Sequence, residues 1–292
     1  MKKIIFKGCG TAIVTPFLDD KINFKVFKDL IEFQIANHAD SIIVCGTTGE
    51  SATLSLDEKK ELIDFAINTV NKRIPVIVGS GSNYTKNAIE LSKFAENSGA
   101  DGLLIVSPYY NKTTQEGLIE HFSTIASSTL LPIILYNVPS RTGLNIEPTT
   151  CLALSKFENI VAIKEASSNI SQITNIASLC GDNLKIYSGN DDQTVPILSL
   201  GGIGVISVLG NIIPNDIHEL VYSYLQGNIE YSRNKQLEII ELSNILFSEV
   251  NPIPIKAALT MIGFDVGKPR LPLIEMSNSG KVKLREMLKK FY

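Results

Sequence analysis

NIVAIKEASS, residues 159–168, is typical of a short buried β-strand that ends in charge. Its apolar run, residues 160–163, holds two isoleucines and a valine, and β-branched residues of this kind favour strands. Lys164 and Glu165 follow at once, although a lysine is almost never fully buried without a partner. The stretch therefore predicts a buried strand that carries a lysine near its carboxyl end.

Eight apolar runs of this kind recur along the chain, and each is followed by a helix-like segment. They are Gly10–Val14, Ser41–Cys45, Val76–Ser80, Gly102–Ser107, Ile133–Val138, Val161–Ala166, Lys185–Asn190 and Gly204–Leu209. The segments between them have apolar residues at helical spacing, most clearly in Asp57–Asn71 and Tyr84–Ser98. Strands that alternate with helices predict a parallel sheet, and the number eight favours an α/β fold closed as a (β/α)8 TIM barrel over an open sheet.

The strand pattern stops after Leu209, and the remainder of the chain has helical character. Two proline-bearing stretches, NPIPIK at 251–256 and GKPRLPL at 267–273, are expected to interrupt those helices. We predict two domains: a (β/α)8 barrel catalytic domain over residues 1–225 and a small helical C-terminal domain over residues 226–292.

Composition and charge argue against several classes of protein. Of the 292 residues 44% are hydrophobic and 20% are charged, the formal net charge is −3, and the basic residues are scattered, so we expect no nucleic-acid partner. No stretch reaches the roughly 20 apolar residues that span a bilayer, and MKKIIFKG lacks the apolar core of a secretory signal. The expected location is therefore cytoplasmic, without a membrane partner. The four cysteines and three histidines are isolated from one another, so no metal site is predicted.

In a barrel of this kind the chemistry lies at the carboxyl ends of the strands. The motifs found there are GTTGES (46–51), PYYN (108–111), YNVPSR (136–141) and SGN (188–190). The backbone N–H groups and hydroxyls of Thr47 and Thr48 can hold a carboxylate, although an ordinary glycine-bearing turn explains the same spacing. Tyr110 and Tyr136 offer hydroxyls for proton transfer, and aromatic packing at a subunit contact is the alternative for Tyr110.

The alternation of side chains along a strand predicts where the lysine points. Val161 and Ile163 are expected to face the helices, and Lys164 the barrel interior. By the same rule Tyr136 shares the inward face of the neighbouring strand, about 4.8 Å away, so these two side chains are expected to meet. Burial disfavours the charged form of an amine, and a neutral lysine is a nucleophile that can form a Schiff base with a carbonyl compound.

The charged residues also have ordinary explanations. A lysine that extends to solvent, or that pairs with Glu50 or Glu165, explains Lys164 equally well. Arg141 can bind a carboxylate bidentately, but a surface arginine is the usual alternative.

Two further clusters are given structural interpretations. Gly201-Gly202-Ile203-Gly204 is interpreted as a turn that leads into the eighth strand, since it lacks the strand-before-helix context of a phosphate-binding loop. Asp191 and Asp192 are interpreted as helix N-caps rather than metal ligands.

Together these motifs resemble the dihydrodipicolinate synthase family of Schiff-base-forming class I aldolases. The pieces that carry the resemblance are GTTGES, PYYN, YNVPSRTG, AIKEAS, SGND and NPIPIK, and it extends from about Gly8 to the end of the chain. The resemblance implies a lyase that condenses pyruvate with aspartate semialdehyde in lysine and diaminopimelate synthesis. It also implies that no metal or organic cofactor is needed, and that the enzyme is a homotetramer, as is common in the family.

The resemblance further implies residue roles. Lys164 would form an imine with pyruvate, and Tyr136 would donate and accept protons. Thr47 and Tyr110 would complete a hydroxyl relay with it, Tyr110 crossing from a neighbouring subunit. Backbone amides at Thr47 and Thr48 would hold the pyruvate carboxylate.

Three more positions follow from the resemblance. Arg141 would hold the carboxylate of the aldehyde substrate, and the backbone at Gly189 and Ile206 would line the site near the lysine. N-acetylneuraminate lyase and 2-keto-3-deoxy sugar acid aldolases share the lysine, the tyrosine and the loop, so they are the alternative functions. Arg141 favours the synthase, because a dicarboxylic product needs a second cation. A barrel that only binds a ligand is a more distant alternative, since fold alone does not define function.

A departure from the family pattern predicts weak or absent feedback inhibition by L-lysine. The chain keeps four residues of the pocket that binds lysine in inhibited relatives: Ser51, Ala52, Asn83 and Tyr109. Leu56 and Lys59 stand where those relatives have histidines, and Asn87 stands where they have a glutamate. Lys59 adds a like charge and Asn87 removes the charge that would hold an ammonium group. Glu58 is a nearby acid that would have to substitute for that glutamate.

Overall fold

A computed structural model describes residues 2–292 of the chain. Within this range the strands are, in chain order, β1 (Gly8–Ala12), β2 (Phe17–Leu18), β3 (Lys21–Ile22), β4 (Ser41–Val44), β5 (Val76–Gly79), β6 (Gly102–Val106), β7 (Ile133–Asn137), β8 (Ile160–Glu165), β9 (Lys185–Ser188) and β10 (Gly204–Ser207). Strands β1 and β4–β10 form a closed barrel, in which β1 pairs in parallel with both β10 and β4. The predicted TIM barrel is confirmed, and each predicted strand lies within about two residues of its observed ends.

Strands β2 and β3 were not predicted, and they form an antiparallel hairpin outside the barrel. Its turn residues Asp19 and Asp20 have φ angles of 49° and 62°. A type I′ turn requires positive φ at both central residues, and its twist matches that of the two strands it joins. Strands of two residues are too short for an apolar pattern to reveal them.

The helices surround the barrel and then form the C-terminal region. In the described residues they are α1 (Phe24–Ala36), α2 (Leu56–Val70), α3 (Thr85–Ser98), α4 (Gln115–Ala126), α5 (Pro139–Thr142), α6 (Pro148–Leu154), α7 (Ile170–Cys180), α8 (Thr194–Ser199), α9 (Pro214–Leu225), α10 (Ile229–Glu238), α11 (Ile240–Leu246), α12 (Ile253–Met261) and α13 (Asn278–Leu288). Short 3-10 helices occupy Ser51–Thr53, Gly181–Asn183, Asp191–Gln193 and Leu209–Asn211. Helix α2 begins with a capping box in which Ser55 and Glu58 each accept a hydrogen bond from the other's backbone N–H.

An irregularity in the pairing of β7 with β8 changes the direction in which one side chain of β8 points. Residues 133–134 of β7 pair with Ile160 and Ala162 of β8, so Val161 between them has no partner on β7. Val161 packs with the smaller of two hydrophobic clusters, inside the barrel, so its predicted orientation toward the helices is wrong. Ile163 packs with the larger cluster outside the barrel, as expected.

The two hydrophobic clusters separate the inside of the barrel from its outside. The smaller cluster fills the interior with side chains such as Ile43, Ile77 and Ile134. The larger cluster lies between the strands and the surrounding helices, and it continues into the C-terminal helices through Leu246 and Leu259. The helical C-terminal region therefore packs on the barrel through one continuous core.

The region after α9 is helical, as expected. Helix α12 begins at Ile253, inside NPIPIK, because Pro254 lies in its first turn, where a missing N–H is tolerated. The predicted interruption of the helices by NPIPIK therefore ends before Ile253, and the rest of the motif is helical. The domain boundary at residue 225 stays a prediction. No helix within residues 2–292 is long and apolar enough to cross a membrane.

Candidate active site

Lys164 and Tyr136 meet at the carboxyl end of the barrel, as the alternation of side chains predicted. They are register partners on β8 and β7. The Lys164 Nζ lies 4.4 Å from the centroid of the Tyr136 ring. Lys164 is only 6% exposed, so its side chain does not extend to solvent. The fold therefore holds an amine beside a phenol in a buried position.

The two carboxylates that were alternative partners for Lys164 are bound elsewhere. Glu50 Oε1 accepts a hydrogen bond from Lys256 Nζ at 2.7 Å. Both oxygens of Glu165 accept from Asn137 Nδ2 at 3.1 Å. Burial raises the pKa of Glu165, and its hydrogen bonds oppose that shift. The interpretation that Lys164 is neutralised by Glu50 or Glu165 is therefore wrong.

Asp191 supports the end of the barrel near the lysine instead of capping a helix of its own. Its buried carboxylate accepts hydrogen bonds from the backbone N–H of Val208 at 2.9 Å and of Leu209 at 3.3 Å. Burial raises the pKa of Asp191, while these hydrogen bonds act against the rise. Helix α8 has Gln193 at its N-cap, so the predicted N-cap role of Asp191 and Asp192 is wrong.

A cavity of about 190 Å³ at the mouth of the barrel collects most of the predicted site. Six of the predicted residues line it: Thr47, Thr48, Tyr136, Arg141, Lys164 and Gly189. A second cavity of about 340 Å³ shares Thr47, Tyr136 and Arg141 with the first and extends behind the GTTGES loop, where Ser51 and Lys59 line it. Residues that are far apart in sequence thus converge on one concave site, as expected for ligand binding.

The GTTGES loop lines this cavity with Gly46, Thr47 and Thr48. The Thr47 carbonyl accepts a hydrogen bond from Glu50 N at 3.0 Å, which closes the turn. The Thr48 hydroxyl accepts one from Asn251 Nδ2 at 3.0 Å. The backbone N–H groups of Thr47 and Thr48 have no acceptor among residues 2–292. Adjacent free N–H groups in a turn form a concavity suited to a carboxylate.

Gly189 makes room for the lysine stem. A Cβ atom at this position would lie 3.1 Å from Lys164 Cε and 2.6 Å from Ala166 Cβ. The second distance is far below van der Waals contact, so any side chain here would displace the wall of the cavity. The absence of a side chain, rather than an unusual backbone angle, explains the glycine.

Arg141 lies at the rim of the cavity, at the end of α5. Arg141 is exposed, and its Nη2 donates one long hydrogen bond to the Asn251 carbonyl at 3.3 Å. Most of its five donors are therefore available to a ligand. The position is compatible with a bidentate contact to an incoming carboxylate.

Two predicted site residues do not lie at the cavity surface of the single chain. Tyr110 is 92% exposed and has a φ of 70°, in the left-handed region that is unfavourable for a residue with a Cβ atom. Ile206 is fully buried in the smaller cluster and pairs with Gly10 of β1. The structure thus places Ile206 deeper in the barrel and Tyr110 on the outside.

Two residues of NPIPIK contact the site, although the sequence assigned them no role. Asn251 donates to the Thr48 hydroxyl, and its Oδ1 is buried without a hydrogen-bond partner in the described chain. Lys256 reaches Glu50 at the end of the GTTGES loop. The motif was a visible signal, but only the packing of α12 against the barrel shows what its polar residues touch.

Comparisons with known proteins identify the family to which the chain belongs. The model of the dihydrodipicolinate synthetase family matches residues 5–291. A curated relative from Clostridium acetobutylicum, 4-hydroxy-tetrahydrodipicolinate synthase 1, is 56% identical over 285 residues, which covers 98% of this chain and 97% of the relative.

Solved structures show the same fold. The crystal structure of dihydrodipicolinate synthase from Aquifex aeolicus superposes with a TM-score of 0.96 at 44% identity, covering 98% of each chain. A structure described as the first monomeric dihydrodipicolinate synthase variant superposes with a TM-score of 0.96 at 43% identity, covering 98% of this chain and 97% of the variant. With a matching family model over nearly its whole length and relatives of this identity, the chain belongs to the dihydrodipicolinate synthetase family.

Proposed function

We propose that this chain is a lyase that condenses pyruvate with L-aspartate 4-semialdehyde through a Schiff base on Lys164. The product is 4-hydroxy-tetrahydrodipicolinate, in lysine and diaminopimelate biosynthesis. One observation carries the proposed site: the buried amine of Lys164 lies 4.4 Å from the Tyr136 ring, while Glu50 and Glu165 are bound to other residues. Membership of the family supports the same reaction.

The first half of the reaction activates pyruvate. The Lys164 amine attacks the C2 carbonyl, a carbinolamine forms, and loss of water gives the imine. The free N–H groups of Thr47 and Thr48 are suited to the pyruvate carboxylate, which then stays beside the lysine. Tyr136 is adjacent to the amine, so its hydroxyl is the proposed donor of the proton that leaves with the water.

The second half forms the carbon–carbon bond and releases the lysine. Loss of a C3 proton converts the imine to an enamine, and its carbon attacks the aldehyde. The amino group of the former aldehyde substrate then attacks C2, and the ring closes as Lys164 is expelled. Arg141 is proposed to hold the second substrate's carboxylate, since its guanidinium can bind it with two parallel hydrogen bonds.

Arg141 also separates this proposal from the sugar-acid alternatives. N-acetylneuraminate or a 2-keto-3-deoxy sugar acid would bring hydroxyl groups to the rim of the cavity, where the exposed guanidinium lies. A site built around a charged contact discriminates against partners that lack the matching group. The synthase is therefore preferred over an aldolase of that class.

We also propose a homotetramer in which Tyr110 of one subunit reaches the cavity of its neighbour and joins Tyr136 and Thr47 in a proton relay. The exposure of Tyr110 and its left-handed backbone support this assignment, because strained residues persist where surrounding structure holds them. One relative is described as a monomeric variant, so the assembly of this chain is a separate question that sedimentation velocity answers. A cytoplasmic location goes with the biosynthetic role.

The test is covalent trapping combined with a substrate comparison. Incubation with pyruvate and borohydride should add one reduced pyruvate to the peptide that carries Lys164. The chain supplies its own control in Lys256, a second buried lysine, which is paired with Glu50 and should remain unlabelled. A coupled assay should show turnover with pyruvate and aspartate semialdehyde and none with N-acetylneuraminate. Labelling at another lysine, or cleavage of N-acetylneuraminate without condensation, would refute the proposal.

A further inference from the structure

The lysine that ends NPIPIK is as deeply buried as Lys164, and the proposed reaction does not use it. Lys256 Nζ donates hydrogen bonds to Glu50 Oε1 at 2.7 Å and to the Thr15 carbonyl at 3.1 Å. The side chains of Lys256 and Glu50 are 2% and 0% exposed. The other oxygen of Glu50 accepts from the backbone N–H of Arg270 at 2.8 Å. Both charges are thus desolvated and bonded in the space between α12 and the GTTGES loop.

Stability alone does not account for such a pair. The desolvation of two ions offsets most of their attraction, so well-packed apolar residues at the same positions are often as stable or more stable. A buried pair of this kind has a second possible use, which is to hold one conformation against its alternatives. The relevant conformation here is that of the loop in which Glu50 lies.

That loop is strained at both ends. Cys45, just before Gly46, and Glu50 both have a φ of 55°, which is unfavourable for residues other than glycine. Between them lie Thr47 and Thr48, whose N–H groups have no acceptor among residues 2–292. Two backbone hydrogen bonds act within the loop, from Glu50 N to the Thr47 carbonyl at 3.0 Å and from Ser51 N to the Gly46 carbonyl at 3.3 Å. Contacts from outside the loop add to them and oppose the strain at Cys45 and Glu50.

Those outside contacts come from two elements. The Thr15 hydroxyl donates to the Gly49 carbonyl at 2.7 Å, and Asn251 donates to the Thr48 hydroxyl at 3.0 Å. Lys256 ties them together, because it binds both the Thr15 carbonyl and the Glu50 carboxylate. The loop is thus held by contacts from residues outside it, at Thr48, Gly49 and Glu50.

We propose that the Lys256–Glu50 ion pair is a positioning device that keeps the Thr47 and Thr48 amides directed at the pyruvate carboxylate. Helix α12 would then take part in substrate recognition, although it does not itself line the active-site cavity and Asn251, two residues before its start, does. The inference rests on the proposed function, because pyruvate is the ligand that those amides are assigned to hold.

Lys256→Met and Glu50→Gln test the proposal. Both variants retain the shape of the side chain but remove a charge. Each should raise the KM for pyruvate about tenfold, while the KM for aspartate semialdehyde stays within about threefold. In both variants, the amount of pyruvate trapped by borohydride should fall at low pyruvate concentration and recover at saturating pyruvate. Ile255→Ala is the matched control, because Ile255 is fully buried on the same helix but packs in the hydrophobic core.

The control distinguishes positioning from stability. Ile255→Ala should lower the melting temperature without changing the KM for pyruvate. If Lys256→Met and Ile255→Ala lower the melting temperature and leave both KM values unchanged, the ion pair is only structural and the proposal is wrong. Equal increases in both KM values would also overturn it. Hydrogen exchange gives a readout apart from activity. The backbone amides of residues 46–51 should exchange faster in Lys256→Met than in the unmodified enzyme, and their exchange rates should not change in Ile255→Ala.

Thr15→Val covers the case in which a charge-removing variant does not fold. This nearly isosteric change removes the donor to the Gly49 carbonyl and leaves the ion pair in place. It should raise the KM for pyruvate selectively, though by less, and an unchanged KM would count against the proposal. Unmodified enzyme that traps no pyruvate would defeat the proposed function itself, and this inference with it. Unmodified enzyme that traps pyruvate, with no selective effect in the variants, defeats only the inference.

Discussion

Tyr136 and Lys164 are register partners on adjacent parallel strands, and the Lys164 Nζ lies 4.4 Å from the centre of the Tyr136 ring. This distance follows from strand spacing and from the shared inward direction of the two side chains. The phenol ring and the amine therefore line one cavity. The relationship makes the roles of the two residues testable one at a time.

Lys164→Ala should abolish activity while the protein stays folded. The imine cannot form without the amine, so we expect a loss of at least about a thousandfold in kcat. Glu50 and Glu165 are bound to other residues, so the variant breaks no ion pair with them, although it removes a charge that opposes the rise in the pKa of Asp191; the melting temperature should therefore change little. Lys185→Ala, at the start of the adjacent strand β9, is the control and should retain activity. Circular dichroism and the coupled assay measure both quantities, and substantial activity in Lys164→Ala would exclude the Schiff base.

Arg141→Ala should weaken the binding of aspartate semialdehyde more than the binding of pyruvate. Loss of a charged bidentate contact costs about 2 kcal/mol, or roughly thirtyfold in the KM for aspartate semialdehyde. The KM for pyruvate should change much less, because Thr47 and Thr48 are assigned to its carboxylate. Arg141→Lys, which keeps the charge but loses the fork geometry, should be intermediate. Equal effects on both substrates would mean that Arg141 shapes its loop instead of binding a carboxylate.

The barrel and much of the site could be predicted because they depend on local patterns. The strand runs are recognised by their β-branched residues, and alternation alone placed Lys164 beside Tyr136. The error at Val161 has a physical cause: one unpaired residue in β8 shifts the alternation, and pattern cannot reveal a bulge.

The unpredicted contacts join residues that are distant in sequence. Glu50 and Lys256 are 206 positions apart, and Asn251 and Thr48 are 203 apart. Asp191 was misassigned for the same reason, since a local N-cap and a long-range contact to Val208 require the same residue type. Polar side chains specify what they can bind, and only the fold specifies which partner lies within reach.

Tyr110→Phe should lower kcat and leave assembly intact, because it removes only the hydroxyl. A member of a proton relay contributes about a hundredfold or more to the rate. Tyr110→Ala should in addition weaken the subunit contact, since it removes an aromatic side chain that is 92% exposed in the single chain. Sedimentation velocity and the coupled assay give the two measurements. If Tyr110→Phe has the kcat of the unmodified enzyme, the hydroxyl has no role in the relay.

His218 should make stability depend on pH. Its Nδ1 lies 2.8 Å from Asp40 Oδ2, and this hydrogen bond raises the pKa of His218, while burial opposes the rise. A folded pKa above the unfolded one adds stability that is complete below the unfolded pKa and is lost as pH rises through the folded pKa. His218→Gln should therefore lower the melting temperature more at about pH 6 than at about pH 9. His38→Gln is the control, and an equal decrease at both pH values for His218→Gln would contradict the linkage.

The pocket behind the GTTGES loop contains four of the residues on which the prediction about L-lysine depends. Ser51, Ala52, Tyr109 and Lys59 line the larger cavity together. Burial lowers the pKa of Lys59. Glu58, the nearby acid that could have replaced the missing glutamate, is engaged by Arg270 at 2.6 Å and by the Ser55 backbone N–H at 2.8 Å. Glu58 could therefore bind an ammonium group only by giving up its hydrogen bonds to Arg270 and Ser55.

L-Lysine should inhibit this enzyme weakly or not at all. A bound lysine brings two ammonium groups, and Lys59 lines the pocket with an amine that adds a like charge. Asn87, which stands at the position of the expected glutamate, carries no charge and does not line this cavity in the single chain. Charge-assisted hydrogen bonds are about twice as strong as neutral ones, so the loss of an acid removes the strongest contact available to an ammonium group. Titration of L-lysine into the coupled assay near pH 8 should give no half-inhibition below about 1 mM, a level that marks weak binding. The double variant Lys59→His with Asn87→Glu should gain inhibition, and Lys60→His, which changes the neighbouring lysine, should not. Strong inhibition of the unmodified enzyme below that concentration would show that the pocket binds lysine without the acid, and the electrostatic argument would then be wrong.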